Sequence, residues 1–234
     1  MKSNCKIALV TGANRGIGFA IAKGLLQKGH TVIATSRSEV TGKAAVHKLS
    51  AFGNVVYCQL DVNDPKNIQD CYHFLESTYG KLDILVNNAG INYDTWQTVE
   101  DADLIEVRET LETNFLAPWQ LTQNLLPLLK RATSASVVNV SSGAGSLSSQ
   151  TGGTPGYSLS KLALNGLTLQ LANRLQPYNI LVNSVCPGWV RTAMGGDSAT
   201  KSPEEGADTI VWVALFENGD PTGKFFRNRE EIPF

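Results

Sequence analysis

Two kinds of apolar pattern alternate along the chain. Short runs rich in β-branched residues predict strands at residues 6–10, 31–35, 55–60, 82–86, 136–140, 180–185 and 223–226. Longer segments with apolar residues three and four positions apart predict helices at residues 17–27, 41–49, 65–79, 103–129 and 157–175, with Pro118 marking a bend or junction. This alternation predicts an α/β fold, a doubly wound and mainly parallel sheet with helices on both faces.

A glycine-rich turn lies between the first predicted strand and the first predicted helix. Residues 11–18 read T-G-A-N-R-G-I-G. Glycine permits a tight turn and close approach to a pyrophosphate, and the helix N-terminus offers free N–H groups to the phosphates. A purely structural turn would use the same glycines, but the position of residues 11–18 between a strand and a helix favours dinucleotide binding. The expected cofactor contacts here are Gly12, Asn14, Arg15, Gly16, Ile17 and Gly18.

The end of the second predicted strand indicates which dinucleotide is bound. Folds that prefer NAD usually place Asp or Glu there, to bind the ribose 2′-hydroxyl. This chain has Ser36, Arg37 and Ser38 instead. An arginine forms charge-assisted bonds to a 2′-phosphate, and Arg15 is a candidate second contact. The predicted cofactor is therefore NADP(H), the alternative being that both arginines are only solvated surface residues.

Polar or glycine residues follow each of the first six predicted strands. Beyond the first two, they include Asp61 and Val62, then Asn88, Ala89 and Gly90, then Ser141 and Ser142, and finally Pro187 and Gly188. Ligands of open α/β sheets bind beyond the carboxyl ends of the strands, so these residues are expected to converge on one rim. The prediction is a Rossmann-type fold, one domain over residues 1–234, whose dinucleotide site also carries chemistry.

Tyr157 and Lys161 lie four residues apart in a predicted helix and therefore share one face. A free phenol has a pKa of about 10 and is a poor acid or base at neutral pH, but a nearby cation lowers this pKa. Lowering it to about 7 corresponds to about 4 kcal/mol, which one lysine and a second positive charge would supply. Taken alone, the pair is common by chance and also fits an ordinary amphipathic helix.

Four segments together resemble the short-chain dehydrogenase/reductase family, nearly end to end. Residues 11–18 resemble its T-G-x-x-x-G-x-G turn, residues 87–90 its N-N-A-G segment, residues 157–161 its Y-x-x-x-K and residues 187–188 its P-G turn. Within the family, residues 186–192 and 201–207 are similar to those of NADPH-dependent carbonyl reductases. The resemblance implies reduction of an aldehyde or ketone to an alcohol by hydride transfer from NADPH.

The resemblance also implies roles for single residues. Tyr157 resembles the proton donor, Lys161 the residue that lowers the tyrosine pKa and holds the nicotinamide ribose, and Ser142 the hydroxyl that binds the substrate oxygen. Asn114 resembles the helix asparagine that supports a proton-relay water. The segment from 142 to 157 is slightly longer than usual, and strand side chains alternate between faces, so Ser141 competes with Ser142. Further implied cofactor contacts are Asp61, Val62, Asn88, Ala89, Gly90, Pro187, Gly188, Val190 and Thr192.

The substrate is less well specified than the cofactor. Tyr93, Trp96 and Trp189 lie near predicted strand ends or loops and are candidates for lining an open, apolar pocket, with core packing as the alternative for each. This pattern favours hydrophobic or aromatic aldehydes and ketones. The alternatives are a 3-oxoacyl or steroid-type reductase and a non-catalytic NADP-binding redox sensor, although a pure binder has no use for the four catalytic side chains.

The composition of the chain argues against some classes of partner and indicates a cellular compartment. The chain has 20 Lys and Arg against 21 Asp and Glu, a net charge of −1, which argues against a nucleic acid or an anionic membrane as the main partner. Scattered cysteines and isolated histidines argue against a metal site or a disulfide framework, so a cytoplasmic protein is expected. The chain lacks the long insertion before the tyrosine that monomeric carbonyl reductases carry, and a homodimer or homotetramer is therefore expected.

Overall fold

The computed structural model describes residues 5–91 and 93–234. In this part of the chain one sheet contains the strands β1 (Ile7–Val10), β2 (Thr31–Ser36), β3 (Val55–Gln59), β4 (Ile84–Asn87), β5 (Ala135–Val140), β6 (Ile180–Val185), β7 (Phe225–Arg227) and β8 (Glu230–Ile232). The helices are α1 (Gly16–Gln27), α2 (Glu39–Leu49), α3 (Pro65–Tyr79), α4 (Leu104–Leu111), α5 (Ala117–Leu129), α6 (Pro155–Leu175) and α7 (Pro203–Ala214).

The order of the strands across the sheet is β3-β2-β1-β4-β5-β6-β7-β8. Neighbours from β3 to β7 run parallel, and β8 pairs antiparallel with β7 at the edge. Chain order reverses its direction across the sheet between β1 and β4, and open α/β sheets bind ligands at such a switch point. The predicted Rossmann-type, mainly parallel sheet is confirmed.

Helices bury both faces of the sheet. In β1, Ala8 and Val10 pack in a core cluster with α1 and α7, whereas Leu9 between them packs in a second cluster with α3 and α5. This alternation follows from the two-residue period of a strand. Because parallel strands are buried on both faces, each needs a nearly continuous apolar run, which is the pattern that made the strands predictable.

A chain of buried hydrogen bonds crosses the sheet below its carboxyl edge. Asn87 Nδ2 of β4 donates to Asn139 Oδ1 of β5 at 2.9 Å, and Asn139 Nδ2 donates to Thr168 Oγ1 of α6 at 2.8 Å. The Thr168 hydroxyl also pairs with Ser184 Oγ of β6 at 2.8 Å. All four side chains are buried, so these groups depend on one another for hydrogen bonding. The chain ties α6 to the middle of the sheet.

The structure departs from the sequence pattern in three elements. A π-helical turn, Glu112–Leu116, divides the helix predicted over residues 103–129 into α4 and α5, next to the predicted junction at Pro118. The pattern does not predict α7, although Ser202 and Glu205 form a capping box at its start, a recognised helix signal. It does not predict β8 either, because this short edge strand is mostly charged and shows no apolar alternation.

Candidate active site

A groove of about 480 Å³ lies at the carboxyl ends of the central strands. It is lined by residues from turns that are far apart in the sequence. Of the predicted site residues, those in its lining are Gly12, Asn14, Arg15, Gly16, Ile17, Gly18, Arg37, Asp61, Val62, Asn88, Ala89, Gly90, Tyr157, Lys161, Pro187 and Thr192. The predicted site residues outside that lining are Ser142, Asn114, Gly188, Val190, Tyr93, Trp96 and Trp189. Ile91, Arg191 and Met194, which were not predicted as site residues, are in the lining.

Glycines shape the turn between β1 and α1. Gly12 and Gly16 have φ angles of 64° and 56°, in the left-handed region that side chains disfavour. A Cβ atom on Gly18 would collide with the Gly12 carbonyl oxygen and would lie 2.5 Å from Asn88 Nδ2. The turn therefore presents its backbone to the groove and packs directly on the loop after β4.

Thr11 connects this turn to the loop after β4. Its Oγ1 accepts hydrogen bonds from the backbone N–H groups of Asn88 and Ala89, both at 2.9 Å. In return, Asn88 Nδ2 donates to the Thr11 carbonyl at 2.8 Å. The Asn88 side chain, a predicted cofactor contact, thus binds the glycine turn itself. Thr11 was not among the predicted site residues, although it directly follows a buried strand and opens the T-G-x-x-x-G-x-G turn.

Two exposed arginines line the groove. Arg15 is the residue before α1, and Arg37 directly follows β2, where its carbonyl accepts from Gln59 Nε2 at 3.1 Å. Among the residues that the structure describes, neither guanidinium forms an ion pair with a carboxylate. Both are therefore available to an anionic ligand without the loss of an existing ion pair.

Tyr157 and Lys161 lie on one face of the first turns of α6. Lys161 Nζ is 5.7 Å from the centroid of the Tyr157 ring and donates to the Val140 carbonyl at 2.9 Å. Burial raises the pKa of Tyr157 to about 12, although a hydrogen bond with Ser142 opposes the rise. Burial also lowers the pKa of Lys161 to about 8. The largest cause of the raised pKa of Tyr157 is the lost hydration of the phenolate, and the expectation that Lys161 lowers this pKa stays a prediction.

Two neighbouring serines follow β5 and make different contacts. The Ser142 side chain hydrogen-bonds with Tyr157, and its Oγ also accepts from the Ala144 N–H at 3.2 Å. Ser141 is buried, and its Oγ donates to the Lys161 carbonyl at 3.5 Å. Ser142 is thus the serine beside the phenol, whereas Ser141 is the one of the two that lies in the lining of the groove.

Asn114 lies in the π-helical turn between α4 and α5. Its Oδ1 accepts from the Ile91 N–H at 2.9 Å, while its Nδ2 donates to the Ile91 carbonyl at 3.0 Å and to Ser160 Oγ at 3.1 Å. The buried side chain thus holds the loop after β4 against α6. A Cβ atom on Gly90 would lie 3.2 Å from Asn114 Oδ1 and 3.7 Å from Lys161 Nζ, so both polar groups border this glycine.

The loop after β6 forms another wall of the groove. Gly188 turns the chain with a φ of 84°, and Thr192 Oγ1 accepts from the Gly195 N–H at 3.1 Å. Val190 is buried, and a Cβ atom on Gly206 of α7 would lie 2.6 Å from its Cγ2. Val190 therefore packs on α7 and supports this wall from behind.

The three aromatic residues considered for substrate binding lie in different surroundings. Tyr93 packs edge to face on Tyr157, with ring centroids 5.1 Å apart. Trp189 is about half exposed, and its Nε1 donates to the Gly195 carbonyl at 2.9 Å. Trp96 is exposed and lines a separate cavity of about 250 Å³ beside α4. Of the three, Tyr93 is the one whose ring contacts Tyr157.

The fold and the site define the class of protein. The family model of short chain dehydrogenases matches residues 6–203, and this chain belongs to that family. Among curated relatives, carbonyl reductase [NADPH] 1 of Bos taurus is 37% identical over 277 aligned positions that cover 98% of each chain. That alignment is longer than the 234 residues of this chain, so the bovine protein has segments that this chain lacks.

Solved structures show the same likeness. Salutaridine reductase from Papaver somniferum has a TM-score of 0.85 at 32% identity, covering 94% of this chain and 99% of its own. The NADPH-bound carbonyl reductase from chicken fatty liver has a TM-score of 0.89 at 29% identity, covering 99% and 100%. Separately, none of the helices within the described residues is both long and apolar enough to cross a membrane.

Proposed function

We propose that this protein is an NADPH-dependent oxidoreductase that reduces a carbonyl group to an alcohol, with Tyr157 as the general acid. The observation that carries the proposal is the position of the Tyr157 phenol in the wall of the groove, hydrogen-bonded to Ser142. The names of the bovine and chicken proteins, both carbonyl reductases, support the same activity.

The groove suits a phosphorylated dinucleotide. Gly18 leaves no room for a side chain, so backbone faces the ligand, and α1 begins there with free N–H groups for a pyrophosphate. Arg15 and Arg37, free of carboxylate partners in the described part of the chain, suit the 2′-phosphate that distinguishes NADPH from NADH. The NADPH in the names of the relatives agrees with this choice. When bound, NADPH supplies the hydride for the reaction.

The side chains around Tyr157 provide the rest of the chemistry. As the carbonyl carbon is reduced, negative charge grows on its oxygen, and the hydroxyls of Tyr157 and Ser142 would stabilise that charge as hydrogen-bond donors. Burial raises the pKa of Tyr157 to about 12, so the phenol is protonated at neutral pH but is a weak acid. Its proton transfer would therefore depend on positive charge beside it, from Lys161 and the oxidised nicotinamide, to lower this pKa. Lys161 and Asn114, which meet beside Gly90, would hold the nicotinamide ribose and a water that returns a proton to Tyr157.

The proposed substrate is a hydrophobic or aromatic aldehyde or ketone. The Tyr93 ring stands beside Tyr157, and Trp189 and Met194 expose 53% and 42% of their surface on the loop after β6. A substrate with an apolar body would cover these side chains. Its binding would be favoured because apolar surface is removed from water.

We further infer a homodimer or homotetramer that assembles through α5 and α6. Leu116 and Trp119 near the start of α5 expose 40% and 37% of their surface, and Leu159 and Leu169 of α6 expose 44% and 38%. An interface between copies on these two helices would remove this apolar surface from water. Sedimentation velocity tests this, and a monomer at every micromolar concentration would contradict it. The proposed compartment is the cytoplasm, in keeping with cysteines that are all unpaired: Cys5, Cys58, Cys71 and Cys186.

NADPH consumption with a panel of carbonyl compounds tests the function. The panel contains aromatic aldehydes, hydrophobic ketones, a 3-oxoacyl thioester and a steroid ketone, and we expect turnover with the first two classes. Tyr157→Phe should lower kcat by about 10²- to 10⁴-fold, the usual contribution of a general acid, and should still bind NADPH. Tyr178→Phe, which alters an exposed tyrosine after α6, is the matched control.

Three outcomes would change the assignment. Turnover confined to the thioester or the steroid would replace the substrate class. NADPH binding without turnover of any compound would favour a redox sensor. Turnover by Tyr157→Phe at the wild-type rate would refute the role of the phenol as general acid.

A further inference from the structure

A buried carboxylate caps the helix that carries Tyr157, and it comes from a distant part of the chain. Asp94, in the loop after β4, is 1% exposed. Its Oδ2 accepts from the Gly156 N–H at 2.8 Å, and its Oδ1 accepts from the Tyr157 N–H at 3.1 Å. These N–H groups lie in the first turn of α6, where the helix itself offers no acceptor.

The residues at the start of α6 provide no cap of their own. Thr154 precedes the helix with a φ of 50° and makes no side-chain capping bond, because its hydroxyl pairs with Ser158 Oγ at 2.8 Å. Pro155 follows and has no N–H to donate. Asp94 replaces the missing cap, and a carboxylate is well suited because its charge is stabilised by the helix dipole and by charge-assisted hydrogen bonds.

The loop that carries Asp94 contacts both the ring of Tyr157 and the segment that precedes α6. On one side, the Tyr93 ring packs edge to face on the Tyr157 ring at 5.1 Å. On the other, Thr98 forms an antiparallel bridge with Gly153, just before α6. Three contacts therefore fix the position of Tyr157: the Tyr93 ring on its own ring, Asp94 on its backbone N–H, and the bridge to Gly153 before its helix.

We propose that Asp94 is a positioning residue for the proposed reduction. Its carboxylate holds the backbone of Tyr157, and through it the place at which the phenol meets the carbonyl oxygen. This inference rests on the proposed role of Tyr157. A displacement of about 1 Å at a reacting group lowers a rate by about 100-fold. Asp94 is not among the described residues that line the groove, so NADPH affinity should not depend on it.

Two substitutions and one matched control test the proposal. Asp94→Asn keeps the size of the side chain but points an N–H₂ donor at an N–H of α6, and Asp94→Ala removes both acceptors. Asp103→Ala is the control, because Asp103 caps α4 from the same loop, accepting from the Ile105 N–H at 2.8 Å. With kcat expressed per NADPH-binding site, we expect both Asp94 variants to lose at least about 10-fold with unchanged NADPH affinity, and Asp103→Ala to lose nothing.

Amide hydrogen exchange gives a readout that needs no turnover. Residues 154–160 should exchange faster in Asp94→Asn than in wild type or Asp103→Ala, because the first turn of α6 loses its acceptors. The proposal is overturned by wild-type kcat per NADPH site in the Asp94 variants, by equal losses in Asp103→Ala, or by unchanged exchange in Asp94→Asn. Wild-type protein that turns over no compound of the panel would instead overturn the proposed function, and this is known before any variant is made.

Discussion

Lys161 holds a positive charge in a poorly hydrated site. Its substitution by methionine should reveal how much stability this charge costs the folded protein. The side chain is 6% exposed, and burial lowers its pKa from 10.5 to about 8. Below about pH 8 the folded protein therefore holds a poorly hydrated charge. Between about pH 8 and about pH 10.5 the unfolded chain binds more protons than the folded one, so the stability of the wild type rises with pH across this window.

The pKa difference sets the size of the effect. A fall from 10.5 to about 8 corresponds to about 3 kcal/mol of destabilisation at neutral pH, of which about 2 kcal/mol is relieved between about pH 7 and about pH 9.5. Lys161→Met removes the charge and also the hydrogen bond to the Val140 carbonyl. That hydrogen bond is present at both pH values, so its loss destabilises the variant equally at each. The free energy of unfolding of the variant minus that of the wild type should therefore be about 2 kcal/mol lower at about pH 9.5 than at about pH 7.

Urea unfolding of wild type and Lys161→Met, without added cofactor at both pH values, measures this difference. Lys48→Met, at an exposed position of α2, controls for the loss of a lysine charge elsewhere. A stability difference that stays constant within about 0.5 kcal/mol would refute the reasoning. Lys161→Met should also lose carbonyl turnover, which would make this lysine a residue that serves function at the expense of stability.

Three further predictions concern the groove and its support. Arg37→Asp should weaken NADPH binding by about 10- to 100-fold and favour NADH in fluorescence titration, and an unchanged ratio of the two affinities would contradict the 2′-phosphate contact. Gly18→Ala should abolish binding of both dinucleotides, because its Cβ would collide with the turn's own backbone; normal affinity in the folded variant would exclude this packing. Asn139→Ala removes one hydrogen bond each from Asn87 and Thr168, which keep other partners, at a cost of about 1–3 kcal/mol, which should lower the Tm by about 2–10 °C; a change below about 1 °C would show that these buried hydrogen bonds contribute little.

The strands were predictable because each is an apolar run that is buried on both faces. All seven predicted strands appear in the structure within two residues of their expected ends. The charged edge strand β8 lacks such a run, since one of its neighbours is solvent. The π-helical turn that carries Asn114 was also beyond the pattern, because its apolar residues continue the helical spacing of α4 and α5.

Much of the groove could be predicted for a related reason. A residue that directly follows a parallel strand must lie at the carboxyl edge of the sheet, whatever the rest of the chain does. The hydrogen-bond partners of Thr11 and Asp94 show where this reasoning ends. Thr11 bonds the backbone of Asn88, 77 residues away, and Asp94 bonds that of Gly156, 62 residues away. No local spacing marks such partners, since their approach is a consequence of the packed fold.

Local sequence was enough to predict the strand–helix alternation, the glycine turn and the Tyr157–Lys161 pair, because each depends on residues within one strand or a few helical turns. Only the packed fold shows that Ser142 lies beside Tyr157 and that burial raises the pKa of this phenol. The orientation of β5 relative to α6 determines which of the two serines lies beside Tyr157. The pKa depends on how much water the surrounding chain removes from the phenol, and that burial is contributed by segments that no local pattern brings together.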